Sequence, residues 1–385
     1  MLLGGFLMNL LEEFYITIWD NNFNILGVID TIETLEIKKC LSKAGTFTLT
    51  VPLTLESVSL LKVGNLITAS NDIRPGYTLE PYVITYKQLS INSKGVEQLE
   101  IQGKSLFIWF NQRVLTQNYN MTDTIPNIIK TILMNECINP RNPNRIIPNL
   151  NFTTLTEITN KTTFLPQSQY STVSSSITSI LQSQYIGIQI LMSPYQNAYI
   201  IELFVGKDYS LGNTEGNTPI IFSSDLNNIM GESFTHSIVN FSNVAYVYGT
   251  VDNKAELIIT GDTETKGLNR VEIGVDGSDP TLNGEQFNLT SSNYQAIMTA
   301  AGEQTLANSE ITKNFAGKLN MHTDLKYRLN FNVGDTISCI NKEWSLNEDL
   351  IITEVTEQFS VQGNQITLSF GYPLPTLLEK INLDY

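Results

Sequence analysis

Hydrophobic and polar residues alternate along several short segments of the chain. The segment FYITIWD starts at residue 14, TFTLTVPL occupies residues 46–53, and FTHSIVNF starts at residue 234. Alternation over four to eight residues indicates a β-strand with one buried face, and the β-branched residues in these segments favour strands. Short strands at this spacing, separated by turn residues, predict a mainly β fold of small barrels or sandwiches.

Two β segments near opposite ends of the chain resemble each other. Residues 59–71 (SLLKVGNLITASN) resemble residues 329–341 (LNFNVGDTISCIN), and residues 82–106 resemble residues 350–374. The repeat predicts that one small β-unit occurs twice. Because glycine tolerates a positive φ and asparagine bonds its own backbone, the matched positions are predicted to be structural turns rather than chemical sites. These turn residues are Gly64, Asn65, Gly95, Gly103, Gly334, Asp335, Gly363 and Gly371.

A region of helical periodicity separates the two copies. Residues 125–133 carry apolar side chains at helical spacing behind a candidate cap at Thr122 or Asp123, and residues 171–184 show a second such pattern. Two apolar strands, IGIQILM and AYIIELFVG, follow, and residues 293–311 predict a third helix. The predicted domains are a first β-barrel (1–113), an inserted α+β domain (114–226) and a second β-barrel (227–385) with a helix-containing insertion at about 261–312.

Composition and charge narrow the classes of partner. The 385 residues are 42% hydrophobic and 16% charged, which is typical of a globular protein of two to four domains. A formal net charge of −15 argues against a nucleic-acid-binding surface and permits a wall to which DNA does not adhere. The apolar start of the chain runs into Glu12 and Glu13 without a basic residue, so we interpret it as structural. No stretch approaches eighteen apolar residues, so no membrane span is expected.

Residues with catalytic or metal-binding chemistry are sparse. His236 and His322 stand in no metal or triad motif. Three distant cysteines, Cys40, Cys137 and Cys339, show neither zinc spacing nor a disulfide framework, so reduced and mostly buried thiols are predicted. We therefore predict no catalytic residues, no metal site and no cofactor.

Two acidic segments allow alternative interpretations. Residues 276–285 (DGSDPTLNGE) are rich in carboxylates, but their spacing does not follow a calcium loop, which favours a solvated turn. Asp262 and Glu264 are residue types that can act as a paired general acid and base, although no surrounding cleft is predicted. An enzyme that hydrolyses the cell wall would instead depend on a pair such as Asp276 and Glu285.

The three tryptophans allow a binding function as an alternative. Trp19, Trp109 and Trp344 lie near predicted strand ends, where exposed rings bind sugars and buried rings close the end of a barrel. Packing at the barrel end is the preferred interpretation. The segment SLFIWF at residues 105–110 is predicted to bury against the inserted domain.

Several phrases, in order along the chain, resemble the baseplate or tail-tip hub family of bacteriophages and phage-tail-like bacteriocins. This family includes the N-terminal hub part of tail-associated lysin-type proteins. The match covers nearly the whole chain. Each motif alone is weak evidence for the family, and the order of the motifs makes the set more specific. The matching phrases are ILGVID (25–30), GTFTLTVP (45–52), LKVGNLI (61–67), GKSL (103–106), GLNRVE (267–272), VGD (333–335) and SFGYPLPTLL (369–378).

The resemblance implies two tube-like β-barrel domains in each chain and a homotrimer that forms a ring with pseudo-sixfold symmetry. Such a ring joins the hexameric tail tube protein to a threefold spike or tip protein. The tape-measure protein and other baseplate components are further implied partners, in a virion tail assembled in the bacterial cytoplasm. The chain stops about eleven residues after the last predicted strand, so a fused lysin is not expected. A receptor- or polysaccharide-binding tail protein and a cell-wall hydrolase are the alternatives.

Overall fold

The computed structural model describes most of the chain. The described residues are 15–69, 78–91, 95–117, 119, 121–154, 158, 162–165, 171–251, 254–277, 281–282, 285–286, 291–360 and 363–373. Turn position Gly95 is described, whereas the middle of the acidic segment 276–285, the residues of the chain start, and the end of the phrase SFGYPLPTLL lie outside the described residues.

Strands dominate the described residues, which confirms the prediction of a mainly β fold. The strands are β1 (Ile16–Trp19), β2 (Ile25–Ile29), β3 (Thr34–Cys40), β4 (Thr46–Pro52), β5 (Leu66–Ala69), β6 (Tyr82–Ile91), β7 (Glu97–Ser105), β8 (Met121–Thr124), β9 (Leu150–Thr154), β10 (Thr162–Leu165), β11 (Gly187–Ser193), β12 (Ala198–Phe204), β13 (Ile221–Phe222), β14 (Ile229–Ser237), β15 (Val244–Val251), β16 (Lys254–Gly261), β17 (Glu272–Asp276), β18 (Thr281–Leu282), β19 (Glu285–Gln286), β20 (Thr312–Leu319), β21 (Thr336–Asn341), β22 (Leu346–Ser360) and β23 (Gly363–Phe370). The α-helices are α1 (Leu55–Leu60), α2 (Ile125–Leu133), α3 (Val173–Gln182) and α4 (Ser291–Ala307).

Both copies of the repeat lie in one large sheet. Thirteen of the described strands belong to it, along the path β14-β20-β23-β22-β3-β4-β7-β6-β5-β1-β2, with β21 and β13 branching from β22. The long strand β22 pairs with β23 on one side and with β3 on the other, so it joins the two units. The prediction of two tube-like β-barrel domains is not confirmed: among the described strands, the two units form one open, largely antiparallel sheet.

Helices and strands between the two copies form an α+β unit. Strand β12 pairs antiparallel with β11 and parallel with β9, and α2 and α3 pack on this unit. Helix α2 begins behind Thr124 rather than behind the predicted caps, and it buries the apolar stripe that its spacing predicts. The same core cluster contains Trp19, Leu106 and Phe110, which lie outside the α+β unit in sequence, so the segment SLFIWF does bury against this unit, as predicted.

A second small sheet lies between β14 and β20 in the sequence, both of which belong to the large sheet. Strands β16, β15 and β17 pair in that order, and α4 covers them through a core that contains Val247, Tyr294 and Met298. The first strand of this small sheet, β15, starts at Val244. The helix is present where the sequence predicts one. Among the described helices, none has the length and apolar character to cross a membrane.

Candidate functional site: the repeated unit and its junction

The first turn of the repeat has the same backbone geometry in both copies. Gly64 and Gly334 adopt φ values of +94° and +99°, in the region that favours glycine. The Gly64 N–H donates to the Ile84 carbonyl over 2.9 Å, and the Ile84 N–H donates to the Asn65 carbonyl over 2.9 Å. In the other copy, Gly334 donates to Ile352 over 2.8 Å, and Ile352 donates to the Asp335 carbonyl over 2.9 Å. These two hydrogen bonds hold the turn against the start of β6 in one copy and against the middle of β22 in the other.

The hairpin after this turn is bulged at the same place in both copies. The register of β6 with β7 shifts between Ile84 and Tyr86, and that of β22 with β23 shifts between Ile352 and Glu354. The residue skipped by the ladder is Thr85 in one copy and Thr353 in the other. A bulge bends and twists a strand. Both units therefore bend their longest hairpin at the matched Ile-Thr pair.

The later turn glycines differ between the copies. Gly95 and Gly363 both have positive φ, at +79° and +123°. Each lies next to the residues that connect the two strands of its hairpin. Ile84 lies opposite Gly103, whereas Ile352 lies opposite Phe370, so the second hairpin is tighter by one residue. Gly371, with φ +68°, thus follows the residue that occupies the place of Gly103. The two glycines match in sequence but not in register.

Asp335 has a role that its counterpart Asn65 lacks. The buried Asp335 carboxylate accepts hydrogen bonds from the backbone N–H of Lys207 over 2.8 Å and of Asn332 over 2.7 Å. Burial raises the pKa of Asp335 above its ordinary value, although both hydrogen bonds act in the opposite direction. Asn65 instead donates from its side chain to the Leu60 carbonyl over 2.8 Å. The second turn is therefore fixed to the segment around Lys207, and the first turn is fixed only to its own unit.

The junction of the two units is a continuous antiparallel ladder. Residues 354–360 of β22 pair with residues 40–34 of β3, from Glu354 opposite Cys40 to Ser360 opposite Thr34. The Glu354 carboxylate lies 2.5 Å from Lys38 Nζ and 3.0 Å from Lys43 Nζ. Because its side chain is only 11% exposed, both ammonium groups compensate a largely desolvated charge.

Each unit also contributes an apolar side chain to the core of the other. Leu41, which follows β3, is fully buried in the core cluster of the second unit, and its N–H donates to the Thr353 carbonyl over 2.9 Å. Phe359 of β22 packs against the core cluster of the first unit. This exchange of side chains, with the ladder, makes the junction an integral part of both cores.

All three cysteines are buried and free, as predicted. Burial, with the nearby Glu354 carboxylate as a second cause, raises the pKa of Cys40 to about 12. Burial likewise raises the pKa of Cys137 to about 12 and the pKa of Cys339 well above its ordinary value. A thiol that stays protonated is a poor nucleophile and metal ligand, so these residues pack as small apolar groups.

One face of the joined sheet is polar. Inward residues of the strands from β14 to β6 alternate with mostly polar residues on the opposite face, such as Thr46, Thr48 and Thr50 of β4. At the paired positions of these eight strands, outside the bulges and the part of β22 that pairs with β21, the polar face carries three carboxylates and three amines, whose formal charges cancel. They are Glu36, Glu100, Glu354, Lys38, Lys104 and Lys318.

The residues that the sequence singled out for chemistry do not come together. His236 lies exposed on β14 and His322 lies exposed in a turn after β20. No group of three or more metal-ligating side chains occurs within the described ranges. Asp262 and Glu264 are exposed in the turn after β16, where Thr265 donates a hydrogen bond to Asp262. Asp276 is the last residue of β17, and its side chain is exposed.

Two of the three tryptophans are packed inside the protein. Trp19 is 8% exposed and donates from Nε1 to Thr68 Oγ1 over 2.9 Å. The Trp109 ring packs edge-on to Tyr199 at 4.9 Å between centroids. Trp344 is 48% exposed in the turn before β22. Packing, which the sequence favoured, therefore describes Trp19 and Trp109 but not Trp344.

Three solved structures with the same fold are described as tail proteins. A tail protein from Neisseria meningitidis MC58 has a TM-score of 0.58 at 14% identity, with 93% of this chain and 96% of that chain covered. A 43 kDa tail protein of prophage MuSo2 from Shewanella oneidensis has a TM-score of 0.55 at 10% identity, with 92% and 98% covered. The prophage tail protein gp18 from Listeria monocytogenes EGD-e has a TM-score of 0.52 at 11% identity, with 95% and 97% covered. At these identities the likeness concerns the fold.

Sequence comparison extends the likeness to a family. No curated protein matches the sequence. Residues 15–372 match the family described as Siphovirus ReqiPepy6 Gp37-like protein. This range contains the first copy of the repeat, all but the last two residues of the second copy, their junction and the α+β unit between them. The chain therefore belongs to the family of siphovirus ReqiPepy6 Gp37-like proteins.

Proposed function

We propose that the chain is a structural hub at the baseplate or tail tip of a phage or phage-tail-like particle. In this proposal, three copies form a ring of six repeat units and act by assembly rather than by catalysis. The observation that carries the proposal is the junction between β22 and β3, because it joins two like units side by side in one sheet. The tail proteins with the same fold, and the family of siphovirus proteins to which the chain belongs, support a place in the tail.

A ring of this kind matches two symmetries. Six like units present a near-sixfold surface to a hexameric tail tube protein, and three identical chains present a threefold surface to a spike or tip protein. The tape-measure protein and other baseplate components are further candidate partners. The hub would be assembled in the cytoplasm of the bacterial host and function in the tail of the virion.

We assign the polar face of the joined sheet to the channel of the ring. The opposite face is filled by core clusters of both units, so it is not available as a lining. At these paired positions, the three carboxylates and three amines give the wall no formal net charge. Most of the net charge of −15 then resides elsewhere on the chain.

The mass of the purified chain in solution tests the hub proposal. Multi-angle light scattering across a range of concentrations, alone and with the tail tube protein, should give three times the chain mass of 43.1 kDa in at least one condition. A chain that remains a monomer throughout, and that does not bind the tube protein, would overturn the proposal. A stable dimer would also contradict it, because a twofold interface does not close a threefold ring.

A further inference from the structure

We infer that two sheet edges of this chain pair with each other between neighbouring copies. One edge is residues 86–91 of β6, and the other is β14 (Ile229–Ser237). The inference rests on the proposed ring and adds the contact that closes it. Within the described part of the chain, the end of β6 pairs with β7 alone and β14 pairs with β20 alone.

The internal repeat shows what is missing beside β6. Residues 86–91 of β6 correspond to residues 354–359 of β22, because Ile84 and Ile352 carry the same turn bonds and start the same bulge. In β22 this segment has a ladder on both sides, with β23 and with β3. In β6 the side equivalent to the β3 ladder has no described partner. Unpaired edges of this length are normally covered or paired.

Strand β14 is the equivalent of β3 in the second unit. Ile37 of β3 lies opposite Phe47 of β4, and Phe234 of β14 lies opposite Phe315 of β20. Phe47 and Phe315 themselves lie opposite Gly103 and Phe370, which occupy the same place in their hairpins. The outer edge of β14 is therefore the surface that β3 uses at the internal junction.

This equivalence fixes the register between copies. Glu357 pairs with Ile37 at the internal junction, so its counterpart Leu89 should lie opposite Phe234 of the next copy. The flanking antiparallel pairs are then Gln88 with Thr235 and Lys87 with His236. His236, which takes part in no metal or triad motif, would lie in the contact between copies.

Exposure along β6 agrees with a covered position in the assembly. Phe359 packs against the core of the first unit, whereas its counterpart Ile91 is 67% exposed. Leu89 is 53% exposed, whereas its counterpart Glu357 is buried. The ladder with β14 would place Leu89 beside Phe234, which is half-buried. Two apolar side chains on a free edge are thus explained by a neighbouring copy, and their burial would add to the backbone ladder.

Paired cysteines test the register directly. The double variant Gln88→Cys with Thr235→Cys places thiols on facing residues, whose Cα atoms in an antiparallel ladder lie about 4.5–5.5 Å apart, within disulfide range. The control, Gln88→Cys with His236→Cys, shifts one thiol by one residue and so to the other face of the strand. All three positions are exposed, so both variants should fold like the parent chain, which circular dichroism verifies. Mild oxidation followed by a non-reducing gel measures the products.

The inference predicts that the matched pair forms covalent trimers at a rate at least about tenfold above the control. Only the matched thiols lie on the same face of the ladder within the distance that a disulfide needs. Equal rates for the two variants would overturn the register. Light scattering of the parent chain separates the two proposals. If trimers form but the matched pair does not cross-link preferentially, the edge inference fails and the hub proposal stands. If neither trimers nor preferential cross-links form, both fail.

Discussion

The two copies of the repeat have the same turn but different surroundings. A Cβ atom at Gly64 would meet no atom within 4 Å, whereas one at Gly334 would lie 3.3 Å from Gly206 N, from Leu41 and from Phe204. The backbone of Gly206 runs against the second turn, and Asp335 bonds this segment through Lys207. The turn is therefore local in the first copy and part of the interior in the second.

The long hairpins differ in the same sense. Strand β22 continues into a second ladder with β3, whereas the matching end of β6 has one described neighbour. The same type of strand thus lies inside the sheet in the second copy and at an edge of the sheet in the first. The matching strand edge is paired within the chain in the second copy. In the first copy, the same edge remains for a neighbouring copy to pair with.

The largest expected effect is at the contact between Gly206 and the second turn. In Gly206→Ala, the new Cβ would lie 2.0 Å from the carbonyl carbon of Gly334, and backbone on both sides resists movement. We expect a loss of about 3 kcal/mol in the free energy of unfolding. Urea denaturation measures it. Gly212→Ala is the control: its nearest atom is 3.9 Å away, and a change beyond about 1 kcal/mol there would be unexpected.

The two turn glycines should respond unequally to alanine. Both variants force a side chain into a positive φ, at a cost of about 1–2 kcal/mol each. Gly334→Ala adds tight contacts in the interior, so we expect it to cost about 1 kcal/mol more than Gly64→Ala. Denaturant midpoints of the two variants, compared with the parent, measure the difference. Equal losses would show that the surroundings of the two turns do not differ in energy.

The charge cluster at the internal junction should have a smaller effect. Glu354→Gln keeps the shape of the side chain but removes the charge that Lys38 and Lys43 contact. Because both ammonium groups are about one-third exposed and can be solvated, we expect a loss of about 1 kcal/mol. Glu36→Gln, at an exposed hydrogen bond with Gln358 across the same ladder, is the control. A loss as large for Glu36→Gln would contradict a special role for Glu354.

The smallest expected effect is a pH dependence that only the second turn should show. Burial raises the pKa of Asp335 in the folded protein, so its contribution is complete below the unfolded pKa, at about 4, and falls as the pH rises through the folded value. Asp335→Asn removes this ionisation. The stability of the parent relative to the variant should therefore decrease as the pH is raised from about 4, as thermal melts at several pH values would measure. An increase would contradict the account.

Sequence patterns predict the repeat well because its signals are local. Val63-Gly64-Asn65 and Val333-Gly334-Asp335 mark a turn by composition, and alternation along TFTLTVPL predicts which residues of β4 are buried. Helix α1 is different, because the prediction missed it. Its signal was a capping box between Thr54 and Ser57 in a helix of only six residues, which is too short for apolar periodicity.

The junction could not be predicted from sequence because its contacts join distant residues. Glu354 and Cys40 are 314 positions apart, and no local pattern assigns β3 as the neighbour of β22. The burial of Leu41 and Phe359 in each other's unit is decided by the same pairing. The one-residue difference in hairpin register is likewise hidden, because the aligned glycines Gly103 and Gly371 match in sequence and not in position.

Electron microscopy of the assembled chain tests the central claim most directly. Two-dimensional class averages of the purified oligomer, or of the oligomer bound to the tail tube protein, would show how the repeat units are arranged. The account predicts a threefold ring with an open centre and six similar densities around it. Averages in which the two units of each chain occupy unlike positions, or in which the particle has no open centre, would contradict it.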